Sequence, residues 1–191
     1  MLAVRIHGRG GQGVVSGAEL LSVAAFNEGR YAQAFPSFGS ERMGAPVMAF
    51  CRIDSKPIRL REPVLEPDAL IIQDPTLLHQ VDLFAGLRDG GLILINSTRD
   101  VSELGLAEWL VERHHYKVLV VPATEIAVKH VGRAVPNVPL LAAFAAVTGT
   151  VSLESLVHAI EDKFPAKIAA SNVAAARAAF ELVRAGEVAG A

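Results

Sequence analysis

The chain carries a single cysteine, Cys51, in 191 residues. No disulfide can close within it, and one thiol cannot ligate an iron-sulfur cluster or build a zinc-thiolate site. Aromatic residues are scarce at 6%, charged residues reach only 20%, and the two signs nearly cancel at a net charge of -2. That balance suggests neither an electrostatic grip on nucleic acid nor a disordered, self-repelling chain. Met1 to His7 is a short apolar run broken by Arg5 and followed by glycines, the pattern of neither a signal peptide nor a spanning helix. The expectation is a reducing, cytoplasmic setting, with neither nucleic acid nor membrane as a partner.

What the sequence has in quantity is Ala, Val and Leu, within a hydrophobic share of 51%. Aliphatic runs of this kind suit the buried strands of a parallel sheet. Leu2 to His7 is predicted as a strand and Val14 to Glu28 as a helix, with Val14, Ala18, Leu21 and Ala25 on one face and Gly29 as its stop. Tyr31 to Phe35 is a second extended stretch. Ala45 to Ile53 and Lys56 to Leu60 are predicted as an antiparallel hairpin turning at Asp54 and Ser55. Ala69 to Gln73, Leu92 to Ile95 and Val118 to Val121 are predicted strands, and Asp74 with Pro75 makes a helix cap and first turn.

Glu103 to His114 is predicted as a helix, and Thr124 is expected to cap another over Glu125 to Val131. From Pro139 onward only helices are predicted, around Leu140 to Val147, Leu153 to Asp162 and Ala166 to Ala185, ahead of a frayed tail over Glu187 to Ala191. The Ala-rich segment at Leu140 and the final helix offer apolar surface either to the core or to a partner. The fold class is therefore α/β, with a three-layer, Rossmann-like, mostly parallel sheet, an edge hairpin and a helical C-terminal portion. It is expected to form one domain over residues 1–191.

Gly8, Gly10 and Gly13 match G-x-G-x-x-G between a predicted strand and a helix. Glycines there let backbone amides approach an anion, and the positive end of the helix dipole favours a phosphate or pyrophosphate, to which Arg9 could add charge. The competing reading is a tight turn with close packing of helix on strand, and the motif alone leaves the two open. A dinucleotide site also needs an acid about 20 residues on, at the end of the second strand. Glu28 has the separation but falls at the end of the first helix, and no Lys-Ser or Lys-Thr of a Walker loop follows the glycines.

Beyond the glycines, the run HGRGGQGVV followed by YAQAFPSFGSERMGAPVMAFCRI resembles the gamma subunit of the pyruvate and 2-oxoacid:ferredoxin oxidoreductases. The resemblance continues through PDALIIQDPTLL, GGLILINS, VVPATEIA and GRAVPNVPLLAAFAAVTG and so spans the chain. Met43, where the family often has a second Arg, and Val15-Ser16, where Val-Thr is common, are mild departures.

The resemblance implies an accessory subunit of an enzyme that oxidatively decarboxylates a 2-oxoacid to acyl-CoA and CO2. Thiamine diphosphate, Mg and [4Fe-4S] clusters would lie on thiamine-binding, iron-sulfur and alpha-type partner subunits, which would pass electrons to an acceptor such as ferredoxin. It also implies that the glycine loop helps hold coenzyme A, a role carried here to Gly10, Gly11, Gln12 and Gly13 with Gly8 and Arg9 beside them.

The loop Pro36 to Pro46 is expected at the same sheet edge, closing over coenzyme A or meeting the thiamine-binding subunit. Ser37, Phe38 and Arg42 are its candidate site residues, Arg42 to pair a phosphate or carboxylate. The bland alternative is interface packing by Phe38 and Met43 and an ion pair between Glu41 and Arg42.

None of His7, His79, His114, His115, His130 and His158 has zinc-site spacing, and only His7, next to the glycines, invites a test. No G-x-S-x-G elbow is present, Cys51 is expected to be buried filler, and no catalytic residue or metal ligand is expected on this chain. Two rivals stand beside the subunit reading: a stand-alone Rossmann-type dinucleotide-binding protein, and a purely structural subunit whose glycines only pack.

Overall fold

A computed structural model describes residues 1–37 and 43–190. Its strands are β1 (Leu2–Arg9), β2 (Tyr31–Pro36), β3 (Pro46–Asp54), β4 (Ala69–Ile72), β5 (Leu92–Asn96), β6 (Lys117–Val121) and β7 (Ala189–Gly190). They form one sheet in the order β2-β3-β1-β4-β5-β6-β7. The central strands β1, β4, β5 and β6 are mutually parallel. β3 is antiparallel to both β1 and β2, so β2 runs in the direction of β1 without touching it.

The helices are α1 (Val14–Asn27), α2 (Ala107–Val111), α3 (Ala123–Val131), α4 (Asn137–Thr148), α5 (Leu153–Lys163) and α6 (Ala166–Arg184), with a short 3-10 turn at Pro75–His79. The predicted stripe of α1, Val14, Ala18, Leu21 and Ala25, is buried together with Val4 and Ile6 of β1. α4 is apolar on all sides and correspondingly buried from Val138 to Ala145, the position such a helix must take. Leu140 to Ala145 therefore belongs to the core, while Val147 at the end of the same segment is exposed. The opposite sheet face has a thinner cover, where Leu77, Leu83, Leu87, Leu104, Leu106 and Leu110 close over Leu70, Ile72, Ile93 and Ile95.

Several elements differ from expectation. Lys56 to Leu60 forms no strand; β3 takes β2 and β1 as its antiparallel neighbours, so β2 with β3 is the edge hairpin. The helix expected from Glu103 shrinks to α2. Glu103 instead closes a reciprocal box with Asp100, each side chain accepting the other's amide at 2.9 Å, and Gly105 at φ 74° ends the turn. α3 begins at Ala123, so Thr124 does not cap it; the Thr124 amide donates to Asn96 Oδ1 at 3.0 Å. The tail is not all frayed, because β7 pairs antiparallel with β6 at Leu119 and Val120 and covers its open backbone edge.

Candidate functional site

β1 runs two residues further than the sequence indicated, because its pairing with β3 persists from Leu2 opposite Ile53 to Arg9 opposite Pro46. Gly8 therefore lies inside the strand. A Cβ there would stand 2.7 Å from Val14 Cγ2, 2.9 Å from Gln12 Oε1 and 3.1 Å from Gln73 Cβ. Past the strand the loop turns through Gly11 at φ 95° and Gly13 at φ 74°, the second serving as the N-cap of α1. Sterics alone thus demand glycine at these positions, whatever the loop binds.

Among the described residues no side chain caps α1, and its first turn carries no acid. The amides of Val14, Val15 and Ser16 precede the first bond of the helix, Gly17 to the Gly13 carbonyl at 2.8 Å. The same three residues border a cleft of about 450 Å³, which is lined as well by Arg9, Gly10, Gly11 and Gly13 of the loop and by Met43 and Val47. A helix start without a side-chain cap among the described residues, beside the apolar side chains of Val15, Met43 and Val47, suits an anionic group carried on a less polar chain.

Arg9 does not hold its charge free for that anion. Its Nε reaches Asp74 Oδ2 at 3.2 Å, Nη1 donates to the Gly44 carbonyl at 3.1 Å, and Nη2 donates to Thr76 Oγ1 at 2.8 Å and Gln80 Oε1 at 2.9 Å. Gln12 also turns away from the cleft. Its Oε1 accepts the Arg9 amide at 2.7 Å, and its Nε2 donates to Asp74 Oδ2 at 2.9 Å. Burial raises the Asp74 pKa, but hydrogen bonds from Thr76 and Gln12 and the Arg9 charge outweigh it and hold the carboxyl below its ordinary value.

This junction stands where the connections after neighbouring parallel strands part, one returning towards β2 and the other towards β5. Such a crevice is where open α/β sheets bind ligands. The Pro36 end of β2 lies at the same edge, as the expected direction of that strand requires. Residues 43–45 come back beside the glycine loop through Gly10 amide to Ala45 carbonyl at 2.9 Å and Gly44 amide to Gly10 carbonyl at 3.2 Å.

Of the predicted site residues, Arg9, Gly10, Gly11 and Gly13 border the cleft, while Gly8 and Gln12 are not part of its lining. Ser37 lies outside the lining, its amide continuing the β2–β3 pairing to the Met48 carbonyl at 2.8 Å. Phe38 and Arg42, with Glu41, fall outside the described residues. Sequence reasoning missed Val47 as lining, Asp74 as an anchor of the loop, and Asn137, whose Nδ2 donates to the Gly13 carbonyl. Asp74 was visible only as a helix cap, and no local pattern marks Asn137.

Glu28, the one acid at dinucleotide spacing, accepts the Ser152 amide at 2.6 Å and ties α1 to α5 instead. His7 is buried, and desolvation followed by the nearby Arg5 charge pushes its pKa down to about 3, so it stays neutral at physiological pH. Cys51 is buried in β3 with its thiol pushed up to about 12 by desolvation. Among the described residues, no helix is long and apolar enough to cross a membrane.

Known proteins agree on the kinship of the whole chain. The family described as pyruvate ferredoxin/flavodoxin oxidoreductase matches residues 3–182. A pyruvate synthase subunit PorC of Methanothermobacter thermautotrophicus is 46% identical over 181 residues, covering 95% of each chain. The pyruvate/ketoisovalerate oxidoreductases common subunit gamma of Thermococcus litoralis is 46% identical over 181 residues, 95% of this chain and 96% of its own. The crystal structure of pyruvate oxidoreductase subunit PORC from Thermotoga maritima superposes with a TM-score of 0.79 at 37% identity, over 94% of this chain and 95% of that one.

Proposed function

The chain belongs to the pyruvate ferredoxin/flavodoxin oxidoreductase family as a gamma-type subunit, and from that premise we propose that it supplies part of a coenzyme A site in a multi-subunit 2-oxoacid oxidoreductase. The overall reaction turns a 2-oxoacid anion and coenzyme A into acyl-CoA and CO2, with two electrons leaving to an acceptor such as ferredoxin and the thiol proton released to solvent. Thiamine diphosphate, Mg and [4Fe-4S] clusters are assigned to the partner subunits. A gamma subunit that also closes over the reacting centre positions the incoming thiol and keeps water from a reactive intermediate.

The observation that carries this reading is the glycine loop itself. It delivers the acid-free start of α1, which no side chain caps among the described residues, to a cleft also lined by Val15, Met43 and Val47. A phosphate of coenzyme A suits the amides and its pantetheine arm suits Val15, Met43 and Val47. The dinucleotide alternative is disfavoured by Glu28, whose carboxylate is already engaged by Ser152.

The test is native mass spectrometry with cofactor analysis on material captured through a tag on this chain in its own host. Partners bearing thiamine diphosphate and iron are expected. A lone chain or homodimer retaining a nicotinamide or flavin nucleotide would overturn the reading.

A further inference from the structure

Asp74 follows the end of β4 and does not line the cleft, yet the loop that does line it is fastened to this one carboxylate. Its Oδ2 receives Gln12 Nε2 at 2.9 Å and Arg9 Nε at 3.2 Å, and its Oδ1 receives the Thr76 amide at 3.0 Å. Arg9 passes the constraint on, because its Nη1 holds the Gly44 carbonyl next to Met43 at 3.1 Å. Asp74 thus joins the glycine loop, the Met43 wall and the start of the 3-10 turn.

We propose that Asp74 is a positioning residue for coenzyme A, acting through Gln12 and Arg9 to hold the Gly10–Gly13 backbone and the Met43 wall in their receiving arrangement. This rests on the reading of the glycine loop as part of the coenzyme A site. A loop so rich in glycine has more backbone freedom to lose on ordering than any other sequence, so donors that must meet an anion need an external anchor. Preorganisation by that anchor removes the ordering cost from the binding step. The carboxylate itself would repel a phosphate, and it is kept out of the cleft with Arg9 as its counter-charge.

The test is the coenzyme A dependence of the assembled oxidoreductase carrying Asp74→Ala, Gln12→Ala or both. Each single substitution is expected to raise KM for coenzyme A about tenfold, with kcat falling far less and KM for the 2-oxoacid unchanged. The double variant is expected to match the larger single effect, since both residues act through one junction. Asp74→Asn keeps the size and one acceptor oxygen, so it guards against loss of folding and is expected to fall between the parent and Asp74→Ala.

An unchanged KM for coenzyme A in both Asp74 variants, or single effects that multiply in the double variant, would overturn the proposal. Ser16→Glu separates this failure from that of the underlying reading. If Ser16→Glu raises KM for coenzyme A and the Asp74 variants do not, only the anchoring role falls. If Ser16→Glu leaves it unchanged, the coenzyme A reading falls, whatever the Asp74 variants do.

Discussion

Asn137, the first residue of α4, donates from Nδ2 to the carbonyl of Gly13 at 3.2 Å across 124 positions of sequence. The helical C-terminal portion thereby holds the residue from which α1 springs. Asn137 is buried, and its Oδ1 accepts the Val138 amide at 2.8 Å, so both ends of the amide are used. Asn137→Ala is expected to lower stability by about 1–2 kcal/mol in denaturant unfolding. Asn137→Asp is expected to cost more, because it replaces the donor with a buried negative charge facing a carbonyl.

Two glycine substitutions should separate steric from conformational cost. Gly8→Ala would drive a methyl into Val14 and displace Gln12, and is expected to cost about 1–3 kcal/mol, as overpacking does. Gly29→Ala meets no atom of the described residues within 4 Å and carries the penalty of its φ of 76°, expected near 1 kcal/mol. Paired denaturant titrations check the order of the two.

The buried His7 makes stability depend on pH with a definite sign. Its folded pKa of about 3 lies below the free value of 6.5, so between those values the unfolded chain binds a proton that the folded chain does not. Stability from this group is complete above pH 6.5, falls by about 1.4 kcal/mol per pH unit below it, and levels off near pH 3. Thermal unfolding across that range should show the slope, and His7→Gln should remove it.

Cys51 should be inert to thiol reagents at neutral pH while the chain is folded, since its thiol is buried and pushed up to about 12. Labelling with iodoacetamide is expected only after denaturation. Rapid modification of the native protein would contradict its placement in the core.

What the sequence made legible was local. The α1 stripe follows from a period carried by adjacent turns, and the glycine loop from residue types within a few positions of one another. The anchors of that loop come from distant segments: Asp74 is 62 positions from Gln12 and Asn137 is 124 from Gly13, so only the sheet order brings them together. Arg9 looked like a free cation because its partners Asp74, Thr76 and Gln80 lie beyond the next strands. The overlong helix at Glu103 had a local cause, since the same Asp and Glu spacing that opens a helix also closes a single turn before a left-handed glycine.

The central claim, that the start of α1 receives a phosphate of coenzyme A, is tested most directly by Ser16→Glu in the assembled enzyme. An acid in the first turn complements the helix dipole, so the substitution should leave stability unchanged or slightly raised. The same charge should repel an anion in the cleft that Ser16 lines, raising KM for coenzyme A about tenfold or more while KM for the 2-oxoacid holds. An unchanged KM for coenzyme A in a stable, fully assembled variant would contradict the account.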